Sequence, residues 1–501
     1  MKVANFLTKE LLGREVFAFF LLATFVYVIP LILVDYYYID DNWRSLEAGT
    51  AWAGQGRLFA ELLYNALTFT SGAPNIFPLP LLIAVVAMAL ALTRLTLHYY
   101  KQPTVSGCLV LLPLWYNPFF LQNLSYQYDG SVMTLSLVAV MYAIVFRAKS
   151  AVLHIVLPGV LIAMAVGLYQ ISINVFLGLV GVELVRVASD SAPWKSGCSL
   201  LGVKFAQLVV GGVVYYVTAY QAIIPERLPL QEWSANGLAR MGDNIGLVAS
   251  KAILLFHGTN RWLMWAVLFC AAAGAVQVGI ALYKRKDSVL HRVVLAVVCL
   301  LTLPVLLLLV SGAALLFRDF NEGARTLMGF AVLLVLLFYL SHRWLEAVQP
   351  RAGLLLAIPL LSMLSLSYAY GRVLNVQKEF ATSALFSLGH DIASHQPLRE
   401  AKRIYLSISY SNHWLSGATG SFELMPVLAY ILNVDFFMLA ENLPRVGITN
   451  VVPEKERRNA TLAGYRRYAP LVDSKFYSIY LIGDYGFIVM KEVPSSGEDK
   501  W

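Results

Sequence analysis

Long apolar runs alternate with short polar segments from residue 16 to residue 371, and the alternation then stops. The first run, 16–34, follows a segment holding Lys2, Lys9 and Arg14. Further runs lie at 76–97, 103–121, 131–147, 151–169, 172–189, 200–222, 260–283, 289–312, 325–342 and 352–371. Each is roughly 17–24 residues, enough to cross ~30 Å of hydrocarbon at ~1.5 Å per residue. The first run is too long for a signal peptide and lacks a small-residue cleavage site before Asp35, so it reads as a span. The pattern predicts a polytopic α-helical membrane protein with about 11 transmembrane helices. The segment 103–121, interrupted by Pro113 and Pro118, also fits a re-entrant path.

An odd number of spans puts the termini on opposite sides, and charge tests the orientation. Arg94, Lys101, Arg147, Lys149, Arg186, Lys195, Lys204, Lys284, Arg285, Lys286, Arg343 and Arg351 all fall in loops assigned inward, whereas the short loops 121–130 and 169–172 hold no Lys or Arg. This is the positive-inside bias, and it predicts a cytoplasmic N-terminus. Four regions then face outward: 35–78, 122–130, 221–260 and everything after Gly371.

The middle of 35–78 reads as one or two helices lying along the membrane surface, with Leu58, Leu62 and Leu63 on one face and Trp43 and Trp52 at headgroup level. The stretch IGLVASKAILLF (245–256) reads as a second surface-lying helix. Beyond residue 371 the composition turns polar. RIYLSISY (403–410) and KFYSIYLIGDYGFIVMKEV (475–493) alternate like strands, with a hairpin turn at Gly483-Asp484-Tyr485-Gly486. Helical patterns sit at 376–394 and 420–432, and the tail Pro494–Trp501 reads as disordered. The reading is thus a transmembrane domain, 1–371, and an outer α/β domain, 372–501.

Composition agrees with the pattern: 58% of the 501 residues are hydrophobic, 14% are charged, and mean hydropathy is +0.66. The net charge of +8 is explained by topology, and no basic patch interleaved with aromatics calls for nucleic acid. Four scattered cysteines show no metal-ligand spacing, so no metal site or disulfide framework is expected.

The candidate chemistry gathers on the outward side. Asp40 and Asp41 follow the first span, with Arg44 one turn on. An Asp there could take a proton from a hydroxyl nucleophile, or it could cap the surface helix. Asp129, in SYQYDGSVM, could assist or could cap its own span; Tyr126 and Tyr128 suit an interface belt or a sugar face. Arg57, Arg261, Arg318 and Arg325 stand where the positive-inside bias disfavours cations. A lipid phosphate is one reason for them, and a partner such as Asp319 or Glu322 is another. Lys251 and His257 are weaker candidates for the same role, and His413 reads as solvated. Gln170 and Asn174, in GLYQISIN, could bind a polar substrate or tie helices together. Glu183 is placed near the inward end with Arg186 as its i,i+3 partner.

The order of these strings carries a resemblance: IDDNWR after the first span, Gly56-Arg57 before an apolar helix, then YQYDG, then GLYQ. Over roughly 15–345 the chain resembles the bacterial and phage-borne O-antigen glucosyltransferases of serotype conversion, the type II glucosyltransferase family, which look like GT-C enzymes. The resemblance implies a GT-C-like fold in the bacterial inner membrane with the C-terminal domain in the periplasm. It implies an inverting transfer of glucose from undecaprenyl-phosphate glucose to a hydroxyl of lipid-linked O-antigen, with no obligatory metal or other cofactor. A polyprenyl-phosphate glucose synthase and a flippase would supply the donor. Asp40 or Asp41 matches the usual base and Asp129 the second acid; Arg44, Arg57, Arg318 and Arg325 form the pool for the lipid phosphate, and Tyr128, Tyr169 and Gln170 face the substrate. The reading of a different class is a transporter or flippase of a lipid-linked sugar, which would use the same cations without a covalent change. Sparse charge within the spans favours the enzyme.

Overall fold

The computed structural model describes residues 9–190, 194–224, 229–257, 260–285, 287–408, 415–434, 436, 438–454 and 460–491. His413, the end of the 403–410 run and the tail Pro494–Trp501 lie outside them. Helices run at α1 (Gly13–Val34), α2 (Asp41–Glu47), α3 (Leu58–Thr68), α4 (Leu79–Tyr99), α5 (Val105–Leu111), α6 (Pro113–Tyr116), α7 (Phe120–Ser125) and α8 (Asp129–Val145). They continue with α9 (Ala151–Leu168), α10 (Ser172–Ser189), α11 (Trp194–Val217), α12 (Ala235–Ile253), α13 (Arg261–Tyr283), α14 (Val289–Leu309), α15 (Phe330–Val348) and α16 (Ala357–Ser394). The protein is multi-helical, with a mixed sheet at its C-terminal end.

Among the described residues nine helices are long and apolar enough to cross a membrane, and two apolar segments, Val105–Tyr116 and Asp129–Val145, are shorter. The count of about 11 spans is therefore refined at two places. The segment 103–121 is three short helices rather than one. Pro113 cannot donate into the ladder, and the Asn117-Pro118 step ends the next turn. A broken backbone in this setting needs protein around it. Every residue from Gly107 to Thr134 is indeed buried, and α1 is bonded to the segment: the Tyr27 hydroxyl donates to the Asn117 carbonyl at the break (3.3 Å), the Trp115 indole to the Thr24 carbonyl (3.1 Å) and the Tyr116 hydroxyl to that of Ala23 (3.0 Å).

Helix α8 is the centre of the bundle, packed between α4, α9 and α10. In contrast α11, α13 and α14 leave most of their apolar surface uncovered, as lipid-facing helices do. The one or two helices expected in 35–78 are found as α2 and α3, and the helix expected at 245–256 forms the end of α12 and the short turn after it. Trp52 departs from its expected headgroup position: it is fully buried, stacked on Tyr64 at 4.9 Å.

At 38 residues, α16 is ~57 Å long at ~1.5 Å per residue, well beyond the hydrocarbon thickness. It passes unbroken through position 371. Its later turns, with Ala384, Leu385, Leu388 and Ile392, pack under the sheet. That sheet has the order β2-β1-β5-β4-β3, from β1 (Arg403–Ser407), β2 (Val451–Pro453), β3 (Val472–Asp473), β4 (Tyr477–Ile482) and β5 (Tyr485–Met490). β1 runs parallel to β2 and β5, while β3, β4 and β5 are antiparallel. The hairpin turn is tighter than the four-residue string suggests. Gly483 and Asp484 alone connect the strands, and Gly483 has φ +55°, the left-handed value a first turn position of this kind requires.

The contact of α16 with α1 sets where the sheet hangs relative to the bundle. It is close because Gly371 faces the rigid ring of Pro30: a Cβ built on Gly371 would stand 2.5 Å from the Cβ of Pro30. Gly371→Leu gains about 1 kcal/mol of helix propensity but incurs about 1–3 kcal/mol of overpacking that a proline ring cannot swing away to relieve. The expected outcome is a lower thermal midpoint for the detergent-solubilised protein, read by intrinsic fluorescence. An unchanged or higher midpoint would show that the two helices are not in this contact.

Candidate active site

The loop after α1 turns sharply several times. Asp35 ends α1 at φ +49°, Ile39 has φ +42°, and Ala48 ends α2 at φ +49°. Gly56 at φ +72° turns the chain into Arg57 and α3. These reversals fold 35–78 back over the N-terminal end of α8, and its arginines meet Asp129 there.

Asp129 is the first residue of α8, where free N–H groups favour a carboxylate. Its Oδ1 lies 2.5 Å from Arg57 Nη2 and accepts the Trp52 indole N–H at 2.8 Å; its Oδ2 is 3.7 Å from Arg44 Nε. Arg44 is 1% exposed. Its guanidinium lies over Trp52 (4.2 Å) and Trp43 (4.6 Å) and donates to the carbonyls of Gly49 (3.3 Å) and Thr50. Arg57 Nε donates to the Leu168 carbonyl at 2.9 Å, and its guanidinium stands 5.4 Å from the Tyr169 ring. Two guanidiniums therefore share one carboxylate, and every member is enclosed. In such a cluster, removing one partner costs about 3–5 kcal/mol because a buried charge is left uncompensated.

The two adjacent aspartates have separate environments. Asp41 is fully buried and points into backbone. Its Oδ2 accepts from the N–H groups of Gln127 (2.8 Å) and Tyr38 (3.0 Å), and its Oδ1 from that of Tyr128 (3.3 Å). Burial pushes its carboxyl well above the ordinary value, and these N–H groups oppose the rise. Asp40 is half-buried, and among the described residues its side chain makes no hydrogen bond and no ion pair. Burial raises its pKa; the field of Asp129 adds to the rise, and Arg325, Arg44 and Arg57 offset it.

Arg325 comes to Asp40 from far along the chain. Gln122 Oε1 accepts its backbone N–H at 2.6 Å, and Asn123 donates to its carbonyl at 3.1 Å. Its Nη1 donates to the Tyr126 hydroxyl at 2.6 Å. Among the described residues it has no carboxylate within ion-pair distance. A free carboxylate and a guanidinium unpaired with any acid, each within the other's field, can handle a proton and an anion together.

The remaining expected site residues divide. Tyr169 joins the cluster: its ring faces Arg57, and its hydroxyl donates to the Arg325 carbonyl at 3.4 Å. Tyr128 is buried, stacked on Tyr64 at 5.6 Å, with a hydroxyl that has no hydrogen-bond partner among the described residues. Gln170 ties segments together, donating to the Gln55 carbonyl at 2.6 Å; Asn174 does the same for Ser311 at 3.1 Å. Arg318 is exposed, and no hydrogen bond or ion pair links its side chain to the Asp129 group. Lys251 pairs with Glu322 at 3.5 Å. Trp52, Gln122 and Tyr126 hold the site's charged groups. No sequence spacing marks Trp52 or Gln122 for that task, and the aromatic cluster YQY is the nearest hint for Tyr126. Among the described residues no three His, Cys, Asp or Glu side chains converge on a cation position.

Comparison with known proteins bears on the same region. Residues 29–336, more than half of the chain, match the family model described as Glucosyl transferase GtrII. Asp40, Asp41, Arg44, Arg57, Asp129, Tyr169, Gln170, Arg318 and Arg325 all lie inside the match, whereas the sheet lies outside it. A protein of Salmonella phage P22, described as an uncharacterized 55.3 kDa protein in the gtrB 5′ region, is 27% identical over 215 residues. That alignment covers 43% of each chain, so this protein spans less than half the length of that relative. No solved structure matches. The chain belongs to the GtrII glucosyl transferase family.

Proposed function

We propose that the protein transfers glucose from undecaprenyl-phosphate glucose to a hydroxyl of lipid-linked O-antigen, on the periplasmic face of a bacterial inner membrane. The family supplies the reaction class, and the positive-inside bias supports the orientation, with a cytoplasmic N-terminus and a periplasmic sheet domain. The observation that carries the reading is the unengaged Asp40 carboxylate within the field of Arg325, whose guanidinium donates to Tyr126 and meets no carboxylate at ion-pair distance among the described residues.

In the proposed step Asp40 takes the proton of the acceptor hydroxyl. The oxygen attacks the anomeric carbon, and the bond from that carbon to the phosphate oxygen breaks. The electron pair leaves with the lipid phosphate, whose charge Arg325 is placed to hold. One displacement inverts the anomeric centre, so a β-linked donor gives an α-glucoside. Arg44 and Arg57 contribute field rather than contact, because Asp129 and the surrounding carbonyls already occupy them. Asp129 and Asp41 act as positioning residues. A cavity of about 270 Å³ beside α2, lined by Tyr36, Tyr37, Asn42, Gln377, Asn442 and Arg445, has room for part of an acceptor glycan, with Asn442 and Arg445 both bonded to Asn42 along its wall. A separate synthase and flippase would deliver the donor.

Incubating the purified protein with labelled polyprenyl-phosphate glucose and lipid-linked acceptor is expected to move label onto the acceptor. Label crossing a bilayer with none on the acceptor would assign the protein to transport instead. Asp40→Asn is expected to cut transfer by about 10²–10⁴ at normal protein level; full activity in that variant removes the mechanism. Asp41→Ala is expected to act mainly on folding. It strands three buried N–H groups, at about 1–3 kcal/mol for even one, and the readout is a lower thermal midpoint. The raised pKa of Asp40 fixes the sign of the pH dependence, since a base works only when ionised. Transfer should therefore rise with pH through an acid limb lying above the ~3.9 of a free aspartate, and the residual activity of Asp40→Asn should lack that limb.

A further inference from the structure

The far end of α8 holds a second charged cavity, separate from the site described above. Asp129 opens α8, and this cavity lies where the helix ends, ~25 Å away at ~1.5 Å per residue over its 17 residues. Its volume is about 560 Å³, and the ends of α4, α8, α9, α10 and α11 form it.

Its carboxylate is paired through one oxygen. Glu183, 3% exposed at its side chain, accepts from Arg186 at 2.9 Å and meets His98 at 3.2 Å through the same oxygen. Arg186 also reaches Asp190 at 3.5 Å. Lys204 Nζ donates to the carbonyls of Ala143 (2.8 Å) and Ile144 (3.0 Å), so a buried ammonium stands at the C-terminal end of α8. Arg147 and Lys195 are different: both line the cavity, both are exposed, and neither makes a hydrogen bond or ion pair among the described residues. The wall between them is apolar, with Ile144, Phe146, Leu200 and Val203.

Two free cations over a floor whose own cations already have partners call for an anion, and the hydrocarbon wall calls for an amphiphile. We propose that this cavity binds the phosphate of an anionic lipid headgroup, with Arg147 and Lys195 gripping the phosphate oxygens and the apolar wall taking the first carbons of the chains. The positive-inside bias places this end of the bundle at the cytoplasmic leaflet, where such lipids are available. A free phosphate ion offers the same oxygens but leaves the apolar wall unused.

The full-length protein, delipidated in neutral detergent, is tested by native mass spectrometry and thermal unfolding with phosphatidylglycerol, phosphatidylcholine or inorganic phosphate added. Phosphatidylglycerol is expected to stay bound and raise the midpoint, while phosphatidylcholine and inorganic phosphate do neither. The double variant Arg147→Gln/Lys195→Gln is expected to retain phosphatidylglycerol roughly tenfold less, and Lys475→Gln, an exposed change on the sheet domain, to retain it as before. Should the double variant fail to fold, Arg147→Gln and Lys195→Gln singly carry the comparison. Equal retention of both phospholipids, full retention by the variants, or protection by inorganic phosphate alone would each overturn the assignment.

Discussion

The ion pair of Asp129 with Arg57, extended by Arg44 and the Trp52 indole, is the interaction on which one end of this molecule depends. It joins the start of the central helix to the folded-back segment 35–78. Arg57 continues the tie to the end of α9 through the Leu168 carbonyl. The cluster also draws Trp52 inward, and a stack runs from Trp52 through Tyr64 to Tyr128. Desolvating three charged groups is costly unless each finds partners. Here the shared carboxylate, the carbonyls of Gly49 and Thr50, and two indole faces supply them.

This arrangement gives two neighbouring aspartates opposite tasks. Asp41 receives three backbone N–H groups and closes the loop 126–128 onto α2. Asp40, one residue away, is turned to the side where Arg325 and the Asp129 group set the field, and it keeps its lone pairs free. The oxygens of Asp41 are enclosed and engaged by three donors, so an incoming hydroxyl cannot reach them, whereas Asp40 is only half-buried and its oxygens are unengaged. Arg325 is held by its backbone and by Tyr126 rather than by an acid, so its charge remains available.

The same economy of polar groups shapes the rest of the bundle. The broken segment 105–125 is sealed within protein and lends its side chains to α1. Helix α16 is continuous, so one helix carries both the apolar first half and the turns that pack under the sheet.

Hydrophobic periodicity by itself determined the class of the molecule, most of its helices and the strand runs of the sheet. Those features follow from local composition, because a helix in lipid must satisfy its own backbone and expose apolar side chains. Spacing also placed Glu183 with Arg186, three residues apart on one helix face. Only the tertiary structure separated Asp40 from Asp41, since their difference lies in N–H groups donated from 86 or 87 residues away. It likewise moved Trp52 from the expected interface into the core, put Gln170 on a backbone carbonyl, left Arg318 apart and carried Arg325 to Asp40. The physical reason is common to all of these. A charged or hydrogen-bonding side chain is defined by the partner it meets, and those partners come from distant parts of the chain that no local pattern records.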